Sequence, residues 1–228
     1  MKDITFLKSP LIAHRGIHYK YRENSIKAFR MAMLEGYTIE LDVHLTKDNV
    51  IVVYHDNNLK RLTGVDKEID LCTYEEITSI IDVPTLKEVL DLVKGKVAII
   101  VEIKFNMKYG RLESEVSKLL DNYNGKFAVQ SFNPFSILWF NINRKNYIKG
   151  YLINGNYLSK FILNKLLRPD FVAVNVKGLD ENKIIKIRKK YLVIGYTIKN
   201  NLEYNKYYDY ADNFICDIGK EPYKRLLR

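Results

Sequence analysis

Residues 39–56, IELDVHLTKDNVIVVYHD, hold the densest set of groups able to do chemistry in this chain. In an extended segment successive side chains point to opposite faces, so Glu40 and Asp42 share one face and Ile39, Leu41 and Val43 the other. Two carboxylates one pleat apart repel each other and resist burial, so a positive group must lie beside them. A hard metal ion with oxygen ligands is one such group. An ordinary amphipathic hairpin with a solvated acidic face is the alternative. Thr46 to Asn49 reads as a turn, and residues 50–54 (VIVVY) are strongly strand-forming. The gap is too short for a crossover helix, so the second strand returns antiparallel and brings His55-Asp56 back toward the acids.

The elements that position these groups alternate along the chain. Residues 11–13 read as a short strand ending at His14-Arg15-Gly16. Asn24 or Ser25 can cap a helix that reaches about Gly36, with Ile26, Phe29 and Met33 at helical spacing. Thr73 to Glu76 and Thr85 to Glu88 match the capping box, and the second helix runs to Lys94 and stops at Gly95. Residues 97–103 form the near-continuous apolar run of a buried parallel strand. Strands over 126–130, 148–152, 171–174, 192–196 and 213–216 follow. Helices over 109–122, from Pro134, over 157–167, 179–190 and 200–208, and after the last strand lie between and beyond them.

Setting aside the hairpin return at 50–54, eight strands remain, each followed by helical or loop sequence. That is the count and size of a (β/α)8 barrel, a TIM barrel with an extra hairpin strand after its second barrel strand. An open doubly wound sheet is the alternative, but no glycine-rich dinucleotide loop is present to give it a site. In a barrel, chemistry sits at the C-terminal strand ends. His14-Arg15 end the first strand, Glu40 and Asp42 lie near the end of the second, and Glu102 and Lys104 end the third. Glu102 and Lys104 share a face by strand periodicity. They form either part of the same site or a buried salt bridge. No large insertion is visible between the hairpin and the third strand, so no substantial lid is expected.

Composition narrows the function classes. The chain has 228 residues, 47% of them apolar, with no Gly/Ser/Pro-rich linker, and reads as a single domain over residues 1–228. No apolar run is long enough to span a bilayer, and the N-terminal segment lacks a signal-peptide core, so a cytoplasmic location is expected. Cys72 and Cys216 lack metal-type spacing and read as buried small apolar residues rather than a disulfide. The net charge of +10 is spread along nearly every segment. Its densest runs, 183–190 and 220–228, look like solvated helix faces. Specific nucleic-acid binding is therefore not expected, whereas weak peripheral attraction to an anionic membrane or to anionic substrates is.

His14-Arg15-Gly16, Glu23-Asn24-Ser25, residues 39–43, Thr46-Lys47-Asp48, His55-Asp56, Arg61 with Thr63-Gly64, Pro84-Thr85-Leu86 and residues 101–104 (VEIK) occur in the order seen in glycerophosphodiester phosphodiesterases. The chain resembles that family, and weaker matches at Gln130-Ser131-Phe132, Tyr196-Thr197-Ile198 and Cys216-Asp217 extend the likeness over nearly its whole length. The resemblance implies a TIM barrel that uses one divalent cation, Mg²⁺ or Ca²⁺, to hydrolyse a small glycerophosphodiester to glycerol 3-phosphate and an alcohol. It implies Glu40, Asp42 and Glu102 as metal carboxylates, His14 and His55 as the acid–base pair, and Arg15 and Lys104 as phosphate contacts. A lysophospholipase D-like enzyme and a catalytically silent glycerophosphate-binding protein are the alternatives.

Other polar residues carry two readings each. His18 either lines the mouth or sits on a surface loop. His44 shares the face of Asp42 and either supports the site or lies at its edge. Glu23 either orients Arg15 or favours the positive end of the following helix. The family usually carries tryptophan at the position of Tyr196 and threonine at that of Cys216.

Overall fold

A computed structural model describes residues 2–104, 109–154, 166–178, 181–220 and 223. Among them run nine strands: β1 Ile12–His14, β2 Thr38–Leu45, β3 Ile51–Val53, β4 Ile99–Ile103, β5 Phe127–Ser131, β6 Lys149–Ile153, β7 Phe171–Asn175, β8 Leu192–Ile198 and β9 Asn213–Cys216. The helices are α1 Ile26–Leu34, α2 Lys60–Thr63, α3 Tyr74–Thr78, α4 Leu86–Val93, α5 Arg111–Leu120, α6 Pro134–Asn143, α7 Glu181–Arg188 and α8 Asn201–Tyr207. The helix expected over 157–167 lies almost wholly outside the described residues, as do most of the basic run 220–228 and the helix expected there. Among the described residues no helix is long and apolar enough to cross a membrane.

Local chemistry sets the helix ends. Ser25, not Asn24, caps α1, its hydroxyl accepting from the Ala28 amide. Both expected capping boxes form, Thr73 with Glu76 and Thr85 with Glu88. The apolar residues of α4, Leu86, Val89, Leu90 and Val93, fall on one buried stripe, and Lys94 ends the helix in a left-handed conformation.

The strands follow the order β1-β9-β8-β7-β6-β5-β4-β2, and β1 pairs with β2 to close the ring. All eight are parallel, with helices outside. The ninth, β3, returns antiparallel against Val43 to Leu45 of β2, outside the ring. This is the barrel with an extra hairpin strand that the strand count predicts.

Period-two alternation divides the strands between two cores. Ile39, Leu41, Val43, Val101 and Val129 face outward and pack with Phe29 of α1 and Val89 of α4. Ile12, Ile100, Ala128, Phe171, Ala173, Ile194 and Ile215 fill the inside of the barrel, together with Phe6 and Leu7 from the N-terminal segment. The inner layer requires small residues beside large ones. A Cβ on Gly150 would lie 2.1 Å from Cζ of the fully buried Phe171.

β2 runs to Leu45, up to the expected turn at Thr46, and its outer half finds a partner in β3. The segment after β3 is more than a connection. Tyr54, Leu59, Ile69, Cys72, Ile77 and Val83 gather with Val52 into a small apolar cluster of their own. The cause is a set of apolar residues too scattered for a sequence pattern to reveal. Cys72 and Cys216 are both free and buried, as expected.

The contact between Gly150 and Phe171 gives a stability prediction. Gly150→Ala should destabilise the fold by about 1–3 kcal/mol in urea unfolding, as overpacking does. Adding Phe171→Leu should regain part of the loss, whereas a neutral single variant would contradict this picture of the inner layer.

Candidate active site

The site begins where the inner layer ends. Two residues beyond Ile12 on the same face comes His14, two beyond Ile100 comes Glu102, and two beyond Ala128 comes Gln130. Strand register then sets neighbours side by side: His14 pairs with Glu40, Asp42 with Glu102, and Glu102 with Gln130. The parity that builds the apolar interior therefore delivers polar groups to the C-terminal mouth. His55 arrives just after β3, and Lys104 just after β4. All seven sequence-predicted site residues thus lie at one end of the barrel.

Glu40, Asp42 and Glu102 are 2%, 1% and 6% exposed, and one oxygen from each lies within 4.8 Å of the others. Burial, then Asp42 and Glu102, push the Glu40 carboxyl well above its usual range. Burial and Asp42 push Glu102 up to about 7. Burial also opposes ionisation of Asp42, but Lys104 and Arg15 outweigh it and hold that carboxyl well below its usual range. Lys104 Nζ lies 2.7 Å from Asp42 Oδ1 and also bonds Glu102 Oε1. The salt bridge that the sequence left as an alternative is therefore present, as part of the acidic cluster.

Arg15 lies in the turn after β1 with a left-handed backbone, φ 54°. Its amide donates to Glu40 Oε2 at 3.3 Å, and its guanidinium lies 2.9 Å from Glu23 Oε1 and 3.4 Å from Asp42 Oδ2. Gly16 follows at φ 79°, where a Cβ would come within 2.7 Å of the Ala28 carbonyl carbon. Glycine thus lets the turn press on α1. Glu23 takes the orienting role of its two readings. Asn24 Nδ2 donates to Asp42 Oδ2 at 2.8 Å.

Both candidate catalytic histidines are held by a carboxylate at Nδ1. His14 Nδ1 lies 2.7 Å from Asp217 Oδ1, and His55 Nδ1 lies 2.6 Å from Asp56 Oδ1. Burial lowers the pKa of each ring below the ordinary histidine value, against the pull of Asp217 on His14 and of Asp42 on His55. Both are therefore neutral near pH 7, with Nδ1–H donated to the carboxylate and the other nitrogen left to exchange a proton. His44 is buried and neutral, its pKa lowered to about 4 by burial, and its Nε2–H donates to the His55 carbonyl at 3.2 Å. His18 lies at the mouth, its Nε2 3.4 Å from Asp217 Oδ1. A cleft of about 450 Å³ opens here, lined by His55, Glu102, Lys104, Ser131 and Phe132.

Sequence reasoning missed the roles of Asp217, Asp56, Arg61 and Asn24, although each lies in a quoted motif. Arg61 bonds Asp56 with Nε and Glu23 with NH2, so one guanidinium braces the partners of both His55 and Arg15. Asp217 follows the last strand, and only the β1–β9 pairing brings it to His14. The rule that chemistry sits at strand ends could have flagged it. Tyr196 donates its hydroxyl to the Ile153 carbonyl at 2.7 Å and meets Phe132 edge-on at 6.0 Å. Cys216 packs into the outer core rather than the mouth.

The donor set fits a hard divalent cation. Asp42 helps raise the pKa of both Glu40 and Glu102, and the oxygens Asn24 Oδ1 and Gln130 Oε1, on amides that contact Asp42 and Glu40, have no hydrogen-bond partner. A cation bound by oxygen would relieve both.

Residues 14–211 match the pattern of the Glycerophosphoryl diester phosphodiesterase family. A glycerophosphodiester phosphodiesterase from Caldanaerobacter subterraneus subsp. tengcongensis is 35% identical over 148 residues, 58% of this chain and 61% of the relative. A lysophospholipase D from Homo sapiens is 31% identical over 175 residues, 68% of this chain and 52% of the relative. The chain thus spans only part of the length of these curated relatives. The fold is shared with a phosphodiesterase from Oleispira antarctica solved with the product sn-glycerol-3-phosphate, at TM-score 0.83 and 20% identity, covering 92% of this chain and 93% of that one. A glycerophosphodiester phosphodiesterase from Thermotoga maritima superposes at TM-score 0.74 with 27% identity, covering 92% and 95%. With its motifs in family order, its barrel closed, and the match running over residues 14–211, the chain belongs to the glycerophosphoryl diester phosphodiesterase family.

Proposed function

We propose that this protein hydrolyses small glycerophosphodiesters to glycerol 3-phosphate and an alcohol, with His14 and His55 as the acid–base pair. The observation that carries this reading is the convergence of two carboxylate-held imidazoles on a trio of buried carboxylates at one barrel mouth. One imidazole accepts the proton of the attacking hydroxyl as its oxygen bonds to phosphorus. The other, after taking up a proton from solvent, gives it to the departing alkoxide as the P–O bond breaks. Asp217 and Asp56 hold the rings in the tautomer this exchange requires and stabilise the protonated form. Arg15 offers a planar fork to the phosphate and Lys104 a compact positive charge, each now borne by nearby carboxylates. Glu40, Asp42 and Glu102 would hold one divalent cation, Mg²⁺ or Ca²⁺, which when bound supplies positive charge to the phosphoryl oxygens. We place the enzyme in the cytoplasm, where free thiols such as those of Cys72 and Cys216 stay reduced.

A lysophospholipid substrate is the second reading. Phe132, 43% exposed in the lining of the cleft, offers an apolar surface for an acyl chain. The similarity to the human lysophospholipase D supports it.

The purified protein should release glycerol 3-phosphate from glycerophosphocholine or glycerophosphoethanolamine with Mg²⁺ or Ca²⁺ and lose that activity in excess chelator. Release of choline from a lysophospholipid alone would transfer the function to the second reading. His14→Ala and His55→Ala should each retain the fold by circular dichroism and lose about 10²- to 10⁴-fold in kcat. Normal turnover in either variant would overturn its acid–base role. Glu40→Gln should raise the Tm of the cation-free protein, because it removes one of three mutually repelling carboxylates. It should also abolish the stabilisation by added cation, which for wild type at about 100 times Kd amounts to about 2.7 kcal/mol. An unchanged cation-induced shift in this variant would remove Glu40 from the ligand set.

A further inference from the structure

We propose that His14, His18 and Asp217 form a second metal site, selective for a borderline divalent transition ion such as Zn²⁺, and that filling it shuts off the acid–base function of His14. One ligand atom from each residue lies within 4.8 Å of the others, and all three side chains are partly exposed at the mouth. The two imidazole nitrogens already converge on one carboxylate oxygen, His14 Nδ1 at 2.7 Å and His18 Nε2 at 3.4 Å from Asp217 Oδ1. The rings stand edge to face, with centroids 6.3 Å apart. A tetrahedral ion bonded at about 2.0–2.2 Å needs neighbouring ligand atoms just over 3 Å apart. The His18 distance meets that spacing, and the His14 distance needs only a small outward shift.

The donor sets sort the two kinds of ion. Glu40, Asp42 and Glu102 offer oxygen alone, which suits Mg²⁺ or Ca²⁺, whereas two imidazoles and a carboxylate favour Zn²⁺ over either. Three protein ligands would leave a fourth position for water.

The consequence for turnover rests on the acid–base reading of His14. In the free protein neutral His14 keeps its proton on Nδ1 and a lone pair on Nε2. Zn²⁺ bonds through the Nδ1 lone pair, so the proton moves to Nε2 through solvent with no net change in charge on the ring. The ring then has no free lone pair and accepts no proton. Asp217 is diverted to the ion at the same time.

The test uses calorimetric titration of Zn²⁺ into the full chain saturated with Mg²⁺, beside Zn²⁺ inhibition of diester turnover. Wild type should bind one Zn²⁺ and lose activity over the same concentration range. His18→Gln and His18→Ala should keep their basal turnover and unfolding temperature. They should bind Zn²⁺ more weakly by at least the roughly 10- to 100-fold that follows loss of a supporting metal-site partner. Inhibition should move to higher Zn²⁺ by the same factor. Equal Zn²⁺ affinity in wild type and both His18 variants would overturn the site, as would no binding by wild type. His18-dependent binding with full turnover at saturation would uphold the site and overturn the acid–base assignment of His14. Calorimetry decides the site even if no substrate is turned over.

Discussion

Three carboxylates held together at the mouth of a closed barrel repel one another, and much of the surrounding structure offsets that repulsion. Asp42 receives most of the compensation. Lys104, Arg15 and Asn24 all reach it, and it stays ionised despite complete burial. Glu40 and Glu102 are less well supplied, and their carboxyls shift upward. Burying charge without full pairing is costly, so the cluster weakens the cation-free fold, and the proposed cation would offset that cost.

The compensation extends outward through a chain of ion pairs. Arg15 contacts Glu23, Glu23 contacts Arg61, Arg61 contacts Asp56, and Asp56 holds His55. A single guanidinium fork thereby ties the turn after β1 to the end of the hairpin. Arg61 belongs to the segment that follows β3, and the small apolar cluster around Leu59, Ile69 and Ile77 fixes that segment in place. Packing around Leu59, Ile69 and Ile77 thus helps set where the His55 imidazole sits.

In the proposed acid–base chemistry Asp217 serves as the partner of His14. His18 adds a second imidazole to the same oxygen and makes a nitrogen-rich donor set beside an all-oxygen one.

Sequence alone determined the alternation of elements and the parity of the polar residues. Helical spacing, capping boxes and apolar runs are local signals, so β2, β4, α1 and α4 fall where pattern places them. Because side chains alternate along a strand, the carboxylate pair of Glu40 and Asp42 was legible without any knowledge of neighbours. The partnership of His14 with Asp217 was not, because 203 residues separate them and only ring closure through β1 and β9 brings them together. The same holds for Arg61 with Glu23, 38 residues apart. Short-range periodicity decides which face a residue occupies, whereas the identity of its neighbour on that face depends on strand order and register, and these exist only once the barrel has closed.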